Sequence, residues 1–182
     1  EDESVQIRIG AAYMNADVWL NGVRVATHPY GYTPIDIDCD SAWVYGGRNV
    51  LAVRVRNMGA NSRWYSGTGL FRRVFARIVG RNHVPLDGLF LWTDSVAREI
   101  AVVRATLEIV GEPCQATLRL LDERDNSVAS HCVLPGGKPR VEFALTIPDP
   151  RLWSPETPSL YQAVVDLDGS EAARSVFGIR TV

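Results

Sequence analysis

Hydrophobic and polar residues alternate with a period of two along most of this chain, the pattern of strands buried on one face. Val5, Ile7 and Ile9 alternate with Gln6 and Arg8, and Leu51, Val53 and Val55 alternate with Arg54 and Arg56. Ile35, Ile37 and Cys39 share one face of a predicted strand whose other face carries Asp36, Asp38 and Asp40. Asn21-Gly22, between Val18–Leu20 and Val23–Val25, accepts the positive φ values of a two-residue hairpin turn. Gly46-Gly47 turns the chain into Val50 to Arg56, and a further strand is predicted from about Phe71 to Val79. A second set covers Ile100 to Val110, Gln115 to Leu121, Ser127 to Leu134, Arg140 to Ile147, Gln162 to Leu167 and Arg174 to Ile179. Glu123 to Asn126 and Pro135-Gly136-Gly137 are turns within it. Turn signals at roughly 8–12-residue spacing, with no helical periodicity, predict an all-β protein built of β-sandwiches.

Arg81 to Asp87, with Pro85 and few alternating apolar positions, is the candidate junction between two domains. The first half offers about five strands where a jelly roll needs about eight, so either part of that sandwich lies outside residues 1–81 or this is a smaller β-domain. One stretch fits no repeating element. Leu152 to Tyr161 reads LWSPETPSLY, and its prolines exclude a helix interior or a central strand. Leu152, Trp153, Leu160 and Tyr161 are large groups that need something to pack against. The stretch is predicted to be a rigid crossing between two strands.

Composition narrows the functions available. With 46% hydrophobic and 22% charged residues the chain reads as folded, and a net charge of −2 leaves no basic face for nucleic acid. No apolar run approaches the ~20 residues needed to span a bilayer, so neither nucleic acid nor membrane is expected as a partner. EDESVQIRIG at the start has no apolar targeting core, and the compartment is left open. Cys39, Cys114 and Cys132 show no metal-ligand spacing and are expected to be buried thiols, although Cys114 and Cys132 could meet across a hairpin. No metal or cofactor is expected.

Three constellations could carry chemistry. Asp36, Asp38 and Asp40 fall about 6.5–7 Å apart along one strand face. That suits a solvated polar face, overlaps the spacing of an inverting glycosidase pair, and starts like a calcium loop. His28, Tyr30 and Tyr32 in HPYGYTP form a sugar-stacking platform or seal a sandwich edge. Asn61 to Arg72, NSRWYSGTGLFR, sets a cation and two rings beside a glycine-rich turn, suited to binding a ligand or packing against another domain.

Taken together, the segments resemble the non-catalytic N-terminal domains of glycoside hydrolase family 2, the β-galactosidase, β-glucuronidase and β-mannosidase group. YMNADVWLNG with YGYTPIDID, and then SRWYSGTGLFR, are similar to the family's sugar-binding-type jelly roll. LWSPETPSLY followed by FGIRTV is similar to the close of its immunoglobulin-like domain. The resemblance implies a partial jelly roll over residues 1–81 and an immunoglobulin-like β-sandwich over 82–182. It implies a retaining, β-galactosidase-like parent enzyme whose two catalytic glutamates lie in a (β/α)₈ barrel beyond this chain. No catalytic residue is therefore expected here, and the chain alone is expected to be inactive. The resemblance further implies that Asn61, Arg63, Trp64 and Tyr65 edge the parent's sugar pocket. No Asp or Glu lies between Asn57 and Arg72, where β-galactosidases of the family can carry a sugar-binding acid. Expected partners are the carbohydrate substrate, the parent's own barrel and a possible second copy. The alternative is a stand-alone carbohydrate-binding or adhesion module.

Overall fold

The structure, a computed structural model, describes residues 3–59, 67–97 and 99–181, and among them it holds fifteen strands and no helix. The expected all-β class holds. The chain forms two compact units, Glu1–Gly80 and Arg81–Val182.

The first unit contains β1 (Glu3–Ile9), β2 (Ala12–Tyr13), β3 (Ala16–Leu20), β4 (Val23–His28), β5 (Ile35–Asp38), β6 (Leu51–Arg54), β7 (Gly69–Leu70) and β8 (Val74–Gly80). That is more than the five read from the sequence, partly because β2 and β7 have only two residues each and show no alternation. The order is β5-β1-β8 in one antiparallel sheet and β4-β3-β6 in another, with β2 pairing β7. Alternate residues of β1, β3 and β5 meet in a core of Val5, Ile7, Ile9, Val18, Leu20, Ile35 and Ile37. The β3–β4 hairpin turns on Asn21 (φ 51°) and Gly22 (φ 86°), the positive pair the sequence called for. The Asn21 side chain then ties the hairpin to β6: its Oδ1 accepts the Val50 N–H at 2.8 Å, and its Nδ2 donates to the Ala42 carbonyl at 2.8 Å.

Among the described residues, the β8 end of one core-facing sheet is uncovered. Cross-strand partners share a face, and Val5 pairs Ile78 while Ile9 pairs Val74. Val5 and Ile9 are 1% and 0% exposed, but Ile78 and Val74 are 65% and 43% exposed. The core-facing side of the β5-β1-β8 sheet thus runs onto β8, where nothing among the described residues covers it.

The second unit contains β9 (Leu89–Ala97), β10 (Ile100–Glu108), β11 (Ala116–Leu121), β12 (Ser127–Val133), β13 (Arg140–Pro148), β14 (Tyr161–Leu167) and β15 (Ser170–Phe177). These build a seven-stranded sandwich from the sheets β13-β10-β9 and β12-β11-β14-β15. Val103, Leu107, Leu118, Leu120, Leu145, Ile147, Val165 and Ile179 fill the space between them. Strand β9 has no counterpart in the sequence reading. Its run Leu89-Phe90-Leu91-Trp92 is apolar on both faces, so period-two alternation is lost. The Asp168-Gly169 turn (φ 47° and 83°) starts β15 earlier than the alternation suggests. Cys132 also departs from expectation: it lies exposed on β12, opposite Thr117 of β11, while Cys39 and Cys114 are buried and all three thiols are free.

The proline stretch closes this sandwich between β13 and β14. Trp153 bridges Pro158 within it, and Leu152 bridges Ile179 in parallel. At its end, the hydroxyl of buried Tyr161 accepts the N–H of Arg151 at 2.8 Å, ten residues upstream. A tyrosine at the start of the sixth strand, bonded back across the preceding corner, is a hallmark of immunoglobulin-like sandwiches. The side chains divide unequally: Tyr161 is in the core, Trp153 is half-buried, and Leu152 and Leu160 are each nearly half exposed.

Candidate functional site

Asn61, Arg63, Trp64 and Tyr65, the residues expected at a pocket edge, lie outside the described residues. The aspartate triplet is spent on structure. Asp36 makes a two-pronged bond with Arg8 at 2.6 and 2.7 Å. Asp40 accepts the Val5 N–H at 2.9 Å, and Asp38 accepts the Asp40 N–H at 3.0 Å. All three are exposed while Ile37 and Cys39 between them are buried, the arrangement of a solvated strand face. Among the described residues no cluster of three or more His, Cys, Asp or Glu could hold a metal ion.

The tyrosines of HPYGYTP do come together. Tyr32 lies edge-on to Tyr13 (5.2 Å between centroids), Tyr30 (5.6 Å) and Phe71 (6.0 Å). Gly31 is what lets Tyr13 approach, because a Cβ there would lie 2.3 Å from Tyr13 Cδ2. Arg72 donates to the Tyr32 carbonyl at 3.0 Å and lies over the Phe71 ring. Burial, then the neighbouring Tyr13, hold the Tyr32 phenol above its usual value. A recess of about 200 Å³ opens beside this cluster against Gly67 to Phe71, the residues that follow the SRWYS segment.

In the second unit a cleft of about 690 Å³ is lined by Leu91, Trp92, Thr93, Asp94, Trp153, Gly178, Arg180 and Thr181. It joins the two segments singled out in the sequence, LWSPETPSLY and FGIRTV, to the unpredicted strand β9. Backbone bonds set its walls: Trp153 N–H donates to the Ile179 carbonyl at 2.8 Å, and Arg180 N–H donates to Thr93 Oγ1 at 3.3 Å. The Trp153 ring packs on Gly178, and the Arg180 guanidinium lies 5.2 Å from its centroid. Asp94 is held by Arg104 of β10 at 3.1 Å. Trp92, Thr93 and Asp94 were missed because β9 was missed, and Arg180 because a lone arginine after a strand carries no signal of its own.

Residues 99–180 match the family described as glycosyl hydrolases family 2. A putative β-glucuronidase of Formosa agariphila is 34% identical over 99% of this chain, which spans 18% of that protein. A β-galactosidase of Bacteroides ovatus is 35% identical over 97% of the chain, which spans 22% of it. The crystal structure of a family 2 member from Bacteroides cellulosilyticus superposes with a TM-score of 0.90 at 32% identity, over 99% of this chain and 25% of that one. The chain belongs to glycosyl hydrolase family 2. It spans about a fifth of the length of these curated relatives.

Family 2 membership gives the cleft a chemical yardstick. Glycoside hydrolysis runs on two carboxyl groups about 5–5.5 Å apart in retaining enzymes. The cleft lining holds one carboxylate, Asp94, already paired with Arg104. A second recess, about 250 Å³, brings Asp122 and Glu123 together. There Asp122 accepts the N–H groups of Arg124 and Asn126 at 2.8 and 2.9 Å, and Glu123 pairs with Arg151. The Asn126 side chain holds the Asp122 carboxyl below its ordinary value. In both recesses the acidic side chains are held by arginine side chains or backbone N–H groups.

Proposed function

We propose that this chain is the accessory, non-catalytic N-terminal region of a longer retaining β-glycosidase. Its first unit would be the later part of a jelly roll over residues 1–81. Its second would be an immunoglobulin-like sandwich over 82–182. The observation that carries the reading is the share of length. The chain aligns along nearly its whole extent to proteins named β-glucuronidase and β-galactosidase, yet accounts for about a fifth of each. The cleft with its single, paired carboxylate supports a role other than bond cleavage. The parent would hydrolyse O-glycosyl bonds of terminal β-linked sugars through a covalent glycosyl-enzyme on a separate (β/α)₈ barrel. This region would support that barrel, and Asn61, Arg63, Trp64 and Tyr65 would shape the edge of its sugar pocket. A contact between copies of the parent would fall to the same region.

The test is turnover of 4-nitrophenyl β-D-galactoside, β-D-glucuronide and β-D-mannoside by purified residues 1–182 and by the full-length parent. The parent is expected to release nitrophenol with retention, and the isolated chain to release none. Hydrolysis by residues 1–182 alone would overturn the proposal. In the parent, Arg63→Ala is expected to raise KM while leaving the fold intact. Unchanged kinetics would remove the pocket-edge role.

A further inference from the structure

We infer that the cleft of the second unit is a binding site for a sugar acid, a pyranose bearing one carboxylate. Its volume, about 690 Å³, falls within the usual range for small-ligand sites, roughly 300–1,000 Å³. Recognition would centre on Arg180. Its guanidinium is fixed over the Trp153 ring at 5.2 Å, and none of its N–H donors has a partner among the described residues. A guanidinium resting over an aromatic ring has lost part of its rotamer freedom already, and its fork geometry matches a carboxylate. The cleft is also built to keep this pair in place. Gly178 leaves the space that Trp153 fills, the Trp153 N–H is bonded to Ile179, and the Arg180 N–H is bonded to Thr93.

The rest of the lining selects the body of the ligand. Trp92, stacked on Phe90 at 5.7 Å between centroids, supplies indole surface for the C–H face of a sugar ring. The hydroxyls of Thr93 and Thr181 line the same cleft and suit sugar hydroxyls. Charge sets the limit on the anion. Asp94 is offset by Arg104, so the lining as a whole offers one cation, Arg180, beside a fixed carboxylate. That balance suits a singly charged carboxylate better than a doubly charged phosphate. The inference concerns only this unit and stands or falls separately from the glycosidase reading of the parent.

The test is titration of isotopically labelled residues 1–182 followed by NMR, with methyl β-D-glucuronide, methyl β-D-glucoside and glucose 6-phosphate as probes. Methyl β-D-glucuronide is expected to shift the indole N–H signals of Trp92 and Trp153 and the amide of Gly178, with millimolar affinity. The neutral glucoside is expected to bind about tenfold more weakly. No shift at these residues up to about 50 mM ligand would overturn the proposal. So would a glucoside or phosphate bound as tightly as the glucuronide. Arg180→Gln is expected to lose about tenfold in affinity, and Arg180→Lys, which keeps charge but not the fork, several-fold. Unaltered binding in folded Arg180→Gln would also overturn it. Trp92→Ala, away from the corner, provides the second variant and is expected to abolish the shifts.

Discussion

The Cβ that Gly178 lacks would stand 2.7 Å from the Cβ of Trp153 and 2.8 Å from its Cγ. Two segments separated by some twenty-five residues of chain are thus matched at one position: a glycine in the strand exit and an indole in the proline crossing. The same pair forms a wall of the cleft, so packing at this point and the shape of the cleft depend on one another.

Gly178→Ala is therefore expected to lower the stability of the second unit by about 1–3 kcal/mol, the usual range for overpacking. Thermal unfolding followed by tryptophan fluorescence measures it. A melting temperature unchanged from wild type would show that the indole yields without cost.

Tyr161→Phe removes the acceptor for the Arg151 N–H at the corner. With the ring retained, the loss is that of one part-buried hydrogen bond, about 1 kcal/mol. Denaturant titration gives the figure directly. Faster amide exchange at Arg151 would locate the effect at the corner, and protection equal to wild type would refute the latch.

Asp17 gives a pH signature. Its carboxylate is buried on β3 and accepts from Arg54 at 2.7 Å and from Thr27 at 3.0 Å, with Arg56 at 3.4 Å. The bond from Arg54, then that from Thr27, hold its pKa below the ordinary 3.8. A carboxyl depressed in the folded state adds stability that is complete above the ordinary value. That stability is lost as pH falls through the lower, folded value. Wild type is expected to lose melting temperature as pH falls below the ordinary carboxylate value of 3.8, and Asp17→Asn to lose less over the same acid range. Parallel slopes for the two proteins would sink the assignment.

Gly31→Ala places a methyl group 2.3 Å from Tyr13 Cδ2. The expected result is a loss of about 1–3 kcal/mol in the first unit, together with a weaker near-ultraviolet signal from the tyrosine cluster. If the spectrum and the melting point both match wild type, Tyr13 and Gly31 are not in contact in solution.

The sequence made the architecture readable wherever one face of a strand was buried. Val5 to Ile9, Ile35 to Asp38 and Arg140 to Ile147 alternate cleanly because each lines a core on one side only. The Asn21-Gly22 turn was equally plain, since few residue pairs accept two positive φ values. Strand β9 escaped because Phe90 and Trp92 stack on each other on the outer face of the sheet, which makes both faces apolar. The exposure of Val74 and Ile78 was hidden for the opposite reason: their pattern is that of a buried strand, and only the register against β1 shows the face uncovered. Of the sites, the tyrosine cluster was legible from HPYGYTP. The cleft was not, because its lining comes from three separated stretches, one of them unread.

Ile179 has a consequence for the order in which the second unit takes shape during synthesis. It is fully buried in the sandwich core and pairs with Leu152 of the proline crossing. Every earlier strand of that unit can be made and paired while the core still lacks this plug. The crossing cannot settle until the FGIR segment has cleared the ribosome. A nascent chain stopped after β15 would thus carry a core still open at the place of Ile179, and would close only when the FGIR residues arrive.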